Sequence, residues 1–105
     1  MSTPKVQPLL MPVLRAIADG NEHDVGGIRE RVADYLRLSI DEREEVYPRS
    51  GQNVYVNLVA FALANFKRGK AVTKKRNGWY QITERGARLL DKGGSELTIE
   101  DVRNA

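Results

Sequence analysis

The chain has 105 residues, no cysteine and one histidine, with 17 Lys/Arg against 14 Asp/Glu. That length suits one compact domain with a single core, and the composition excludes a disulfide framework, a thiolate metal site and a histidine-based zinc site. No run approaches the roughly 18 apolar residues of a membrane span, and the start, MSTPKVQP, lacks a signal-type apolar region, so a cytoplasmic protein with no membrane partner is expected.

Charge is unevenly placed. Residues 1–52 carry 7 Lys/Arg against 9 Asp/Glu, a net −2, whereas residues 53–105 carry 10 against 5, a net +5. Lys67, Arg68, Lys70, Lys74, Lys75 and Arg76 follow one another with no acid between them. Such a density favours a polyanionic partner, although a basic run of this kind also reads as a solvated face.

Helical spacing of Leu9, Leu10, Val13, Leu14, Ile17 and Ala18 predicts a first helix, opened at Pro8 and stopped by Asp19-Gly20-Asn21. Asp24 is placed to cap a second, with Val25, Ile28, Val32, Tyr35 and Leu36 inward and Arg29, Glu30, Arg31 and Asp34 outward. Gly26 and Gly27 each cost that helix about 1 kcal/mol relative to Ala, and they read either as ordinary variation or as room for a close approach. Ser39-Ile40-Asp41-Glu42 has the form of a capping box that opens a short acidic turn to Val46. The segment from Tyr47 to Asn53 reads as a loop.

From Val54 to Phe66 the sequence VYVNLVAFALANF is apolar on more than one face, which predicts a helix packed on two sides. Tyr55, Leu58, Phe61, Ala62 and Asn65 fall on one side; Val56, Val59, Leu63 and Phe66 fall on the other. Gly69 suits its C-cap, and Lys67 and Arg68 complement the helix dipole there. Next, Ala71 to Lys75 and Trp79 to Ile82 should pair around Asn77-Gly78, the dipeptide that best tolerates positive φ in a tight hairpin. Trp79 is expected over the helices and Tyr80 outward. Thr83 should cap a last helix through Ala87, Leu89 and Leu90, broken at Gly93-Gly94-Ser95.

The expected fold is mainly α with a small β-hairpin, an α+β winged helix-turn-helix of three to five helices plus a two-stranded wing. Residues 1–92 should form this domain and residues 93–105 a polar tail or the start of a linker. The hairpin would lift Lys74, Lys75 and Arg76 together, a geometry suited to a phosphate backbone. Lys70, Arg49 and Ser50 are further candidates for backbone contact. Gln52, Asn53, Tyr55 and Asn57, near the start of the long helix, are the candidates for reading bases, with capping as the competing role of Asn53.

LLMPVLRAIADGNEH, VYVNLVAFALANFKRGK and RNGWYQITERGARLL resemble the first helix, the third helix, and the wing with last helix of the N-terminal domain of Mrr-type restriction system proteins. The resemblance implies a DNA-targeting module, joined in full family members to a C-terminal nuclease of the PD-(D/E)xK type. No Asp or Glu in this chain has Lys two positions after it, so that nuclease signature is absent and no catalysis is expected. Three departures stand out: Leu58 where the family carries Arg near the start of its third helix, Phe61-Ala62 for the family's Trp-Ala, and Gly69-Lys70 at the helix end.

Double-stranded DNA is therefore the expected partner, with no cofactor, metal or small-molecule substrate. The alternatives are a protein-interaction or dimerisation module, for which Leu58, Phe61 and Ala62 mark the candidate face, and a small transcriptional regulator on the same fold.

Overall fold

In the computed structural model residues 6–93, Glu100 and Val102 are described. The elements run α1 (Val6–Ala16), β1 (His23–Asp24), α2 (Val25–Leu36), α3 (Ile40–Glu44), α4 (Val54–Arg68), β2 (Val72–Arg76), β3 (Trp79–Ile82) and α5 (Glu84–Gly93). Five helices with a small antiparallel sheet make an α+β fold consistent with a winged helix. The sheet has three strands in the order β1-β3-β2. The sequence reading expected two, because a strand of two residues carries no periodic signal.

Helix α1 lies at the centre, packed on α2, α4 and α5. Its Leu9, Leu10, Met11, Val13 and Leu14, with Ile17 just beyond it, are buried almost completely. Pro8 falls within the first turn, where a backbone N–H has no helical acceptor in any case. Ala18, expected inward, is exposed. Ile28, Val32 and Ala33 bring α2 into the core; Tyr35 does not join them and is 60% exposed. Asp24 occupies the N-cap position of α2 without a side-chain capping bond. Its carboxylate lies over Gly26 and Gly27 instead, and a Cβ on Gly27 would come within 2.9 Å of Asp24 Oδ1. The two glycines make room for that side chain.

The capping box of α3 forms as its sequence dictates. Glu42 N–H donates to Ser39 Oγ at 3.1 Å and Ser39 N–H donates to Glu42 Oε1 at 2.9 Å. Arg43 then ties α3 to α2 through Glu30, at 2.6 Å.

Helix α4 buries Val54, Tyr55, Val59, Ala62, Leu63, Asn65 and Phe66. The expected division into two packed sides gives way to one broad buried face, since Tyr55, Ala62 and Asn65 share the core with Val59, Leu63 and Phe66. Val56 and Phe61 are left exposed, the latter by 60%. Gly69 closes the helix with φ −79°, and the left-handed residue is its successor Lys70, at φ 62°. Gly69 has a different constraint: a Cβ there would overlap the carbonyl oxygen of Val102. Val102 is fully buried in the core. Of the tail expected over residues 93–105, only Gly93, Glu100 and Val102 fall among the described residues; Leu97 and Ile99 lie outside them, as do Gly94 and Ser95 of the expected break.

Strands β2 and β3 pair around Asn77-Gly78, where only Gly78 has positive φ, 77°. Asn77 does not need it, because the register shifts between Lys74 and Arg76 and leaves Lys75 without a cross-strand partner. An extra residue of this kind increases local twist. Tyr80, not Trp79, packs against the core. Thr83 caps α5, its Oγ1 accepting from Gly86 N–H at 3.2 Å.

Candidate nucleic-acid interface

Among the described residues strand β2 is an edge of the sheet, and its side chains after Val72 reach outward. Thr73, Lys74, Lys75 and Arg76 are all exposed. The Arg76 guanidinium lies 4.6 Å from the centroid of the Trp79 ring. Attraction between cation and ring face holds Arg76 over the hairpin instead of leaving it to sweep freely. This is the position Trp79 takes in place of the core position expected for it.

Where α4 runs into β2, Lys67, Lys70, Val72, Thr73, Lys74 and Thr83 line an open groove of about 440 Å³. Three lysines from a helix end, a turn and a strand therefore share one concavity. None of them forms an ion pair with another described residue. The turn is tied down from below: Ala71 N–H donates to Phe66 O at 2.8 Å, Thr83 N–H to Ala71 O at 2.9 Å, and Thr83 Oγ1 to Lys70 O at 2.6 Å. The sequence names Lys70 and Lys74 as backbone contacts and counts Lys67 in the basic run, with the helix dipole as its competing role; it does not single out Thr73 or Thr83 for this site. Those residues meet only through tertiary packing.

The other end of α4 is built differently. Asn53 accepts from Val56 N–H at 2.9 Å through Oδ1 and donates to Arg43 O at 2.7 Å through Nδ2. Both ends of its amide are thereby spent on capping the helix and holding α3. Tyr55 is 2% exposed and its hydroxyl donates to Arg29 O at 2.7 Å. Burial pushes its phenol up to about 12. Neither Asn53 nor Tyr55 presents a free group to a base in this structure. Asn57 Nδ2 donates to Gln52 Oε1 at 3.0 Å, which joins those two candidates into one half-exposed polar unit.

Arg49 and Ser50 are exposed in the loop before α4, where Ser50 Oγ accepts from Gln52 N–H at 3.2 Å. The 15 residues of α4, rising 1.5 Å each, put about 22 Å between this loop and the lysine groove. The structure therefore does not bring Arg49 and Ser50 to the wing. An acidic concavity lined by Ser39, Asp41, Glu42, Glu44 and Glu45 belongs to α3 and its flanks. The uneven charge of the sequence thus becomes a polarity of the fold, basic at the wing and acidic at α3.

Residues 7–92 match the family model described as Mrr N-terminal domain. The chain belongs to the Mrr N-terminal domain family. The match runs from the first turn of α1 to the last turn of α5, so it takes in all three strands, α2, α3 and α4 whole, and all but one residue each of α1 and α5. A domain of the Mrr-type restriction system is thus established at that level. Comparison with curated proteins and with solved structures found no match. Among the described residues of this Mrr N-terminal domain, no group of three or more His, Asp or Glu is placed to hold a metal ion. No described helix is long and apolar enough to cross a membrane. For the candidate dimer face, Phe61 is exposed, Leu58 is half-buried against the core and Ala62 is wholly buried. Ala62 is thus not accessible on that face, because it is packed into the core.

Proposed function

We propose that this domain is a DNA-holding module that targets a Mrr-type restriction system protein to duplex DNA and performs no catalysis itself. The observation that carries the reading is the cationic surface running from the end of α4 along β2 to the hairpin. It comprises Lys67, Lys70, Lys74, Lys75 and Arg76, with no acid within it. Phosphate contacts of this kind give affinity without sequence information. Because Asn53 and Tyr55 are committed to the fold, base reading falls to the Gln52–Asn57 pair, and selectivity should be weak.

Each phosphate neutralised contributes about −0.9 to the slope of log affinity against log salt. Fluorescence anisotropy with a random duplex across a salt series tests the reading. The triple substitution K74A/K75A/R76A should remove most binding while leaving the melting temperature near that of the parent chain. Unchanged affinity would refute a wing-mediated contact.

One observation favours a second reading, self-association. Phe61 is 60% exposed on α4, with Val56 also exposed on the same helix. Light scattering of the parent and of Phe61→Lys separates the two: a dimer lost in the variant supports association, and a monomer in both removes it.

A further inference from the structure

Lys70 is one of two non-glycine residues with positive φ among the described residues, at 62°. Its predecessor is a glycine that would suit that conformation better, yet Gly69 stands one position earlier, at φ −79°. The packing explains the offset. Gly69 has no room for a Cβ, since one would overlap the carbonyl oxygen of Val102 and reach 2.8 Å from Val102 Cγ1. That fixes glycine at position 69 but leaves position 70 open to glycine as well. Lysine stands here in a backbone conformation that L-residues enter at a cost, and such outliers collect at functional sites.

The surroundings say what that function is. The Lys70 carbonyl is held by Thr83 Oγ1 at 2.6 Å, and Lys70 N–H donates to Lys67 O at 3.1 Å, so the turn has little freedom. Lys67 stands at the end of α4 and Lys74 on β2, and the three lysines line the same groove with Thr73. The carbonyls of Asn65, Phe66 and Lys67 are occupied by N–H groups of Gly69, Ala71 and Lys70, which leaves the helix end with few free acceptors to repel an anion.

We infer that this groove is a preorganised clamp for a single backbone phosphodiester of duplex DNA, with Lys70 held in the left-handed turn so that its ammonium joins those of Lys67 and Lys74. The inference rests on the DNA-binding reading above and adds a defined site to it. The clamp fixes the register of the duplex on the domain, since the backbone that presents Lys70 is tied to both α4 and the start of α5. Three cations on one phosphate also act as a unit, so their removal should not be additive.

The test uses Lys70→Gly, which deletes the ammonium while supplying the residue best suited to the turn. Its melting temperature should equal or exceed the parent's, its affinity for random duplex should fall by a similar factor for every sequence, and its salt slope should shrink by about 1. The double variant K70G/K74A should lose less than the product of the two single losses. Parent-like affinity and slope in Lys70→Gly, or strictly multiplicative losses, would overturn the clamp while leaving the wing contact standing. A lowered melting temperature would overturn the argument from the left-handed turn and the clamp with it. Absence of binding by the parent chain at low salt would overturn the DNA reading and this site together.

Discussion

Gly86, in the first turn of α5, lies against the backbone of Ala71: a Cβ at position 86 would overlap the Ala71 carbonyl oxygen and stand 2.7 Å from Ile82 Cγ1. The carbonyl concerned accepts from Thr83 N–H at 2.9 Å, so it cannot turn aside without losing a bond. Gly86→Ala should therefore destabilise the domain by about 1–3 kcal/mol, the usual cost of forcing atoms into a filled site. Thermal melting reads this directly. Binding per folded molecule should be unchanged, since Gly86 lies beneath the groove and lines none of it; a variant as stable as the parent would mean that α5 shifts freely on the sheet.

Tyr55 supplies a pH-dependent prediction. Burial is the chief cause that raises its phenol from 10.0 to about 12. With the folded value above the unfolded one, the fold favours the neutral phenol. That contribution is complete below about pH 10 and is lost as pH rises toward the folded value of about 12. Alkaline absorbance titration of the parent should show a late-ionising phenol, absent in Tyr55→Phe. The same variant loses the bond to Arg29 O and should be less stable by about 1 kcal/mol at neutral pH, with DNA affinity unaltered. A large fall in affinity at equal folding would restore Tyr55 to the binding face.

Local chemistry made much of this fold legible. The Ser39–Glu42 box, the Thr83 cap, the Asn77-Gly78 hairpin and the apolar stripe of α1 each depend on residues within a few positions of one another. The features that were missed depend on distant partners. Strand β1 exists because His23 and Asp24 meet Tyr80 and Trp79 across the sheet, and nothing in two residues announces that pairing. Period alone points Tyr35 inward, yet α2 turns so that Ala33 takes the buried place. Trp79 and Tyr80 exchanged roles for a similar reason, because strand alternation sets which two residues oppose each other but not which one faces the core. At the candidate interface the wing cations were readable from their run in sequence. The groove was not, since Lys67 and Thr83 are sixteen positions apart and meet only when α5 folds back under the turn.

The exposed Asp19 carboxyl is held below its ordinary value of 3.8, first by its hydrogen bond with His23 Nε2 at 2.8 Å, then by the Asn21 N–H at 2.9 Å, with His23 and Arg31 adding favourable charge. A lowered folded value means stability present above the ordinary carboxyl range and lost as pH falls through the depressed one. Asp19→Asn should therefore melt below the parent at neutral pH, and the gap should close in strong acid. Carbon-detected NMR titration of the Asp19 carboxyl in a His23→Ala chain should show its midpoint moving up toward 3.8. A midpoint unmoved by that substitution would assign the depression to Asn21 and Arg31.

Asn53 and Asn57 sit one helical turn apart, at the end of α4 where a winged helix would enter the major groove, and their predicted behaviour separates scaffold from reader. Asn53 spends its amide on Val56 N–H and Arg43 O. Asn53→Ala should accordingly cost about 1 kcal/mol of stability as a lost N-cap and leave the salt slope of DNA binding as it was. Asn57 touches only Gln52 among the side-chain partners described, and that bond can be exchanged for a base edge without unfolding the helix. Asn57→Ala should leave melting nearly unchanged, and if the helix reads sequence it should cut discrimination between duplexes by about 1–3 kcal/mol at one base pair. Binding measured against a small panel of duplexes distinguishes the two substitutions. A loss of selectivity in Asn53→Ala that exceeds its loss of folding would reverse the assignment, whereas unchanged selectivity in Asn57→Ala would leave the domain a holder of DNA backbone alone.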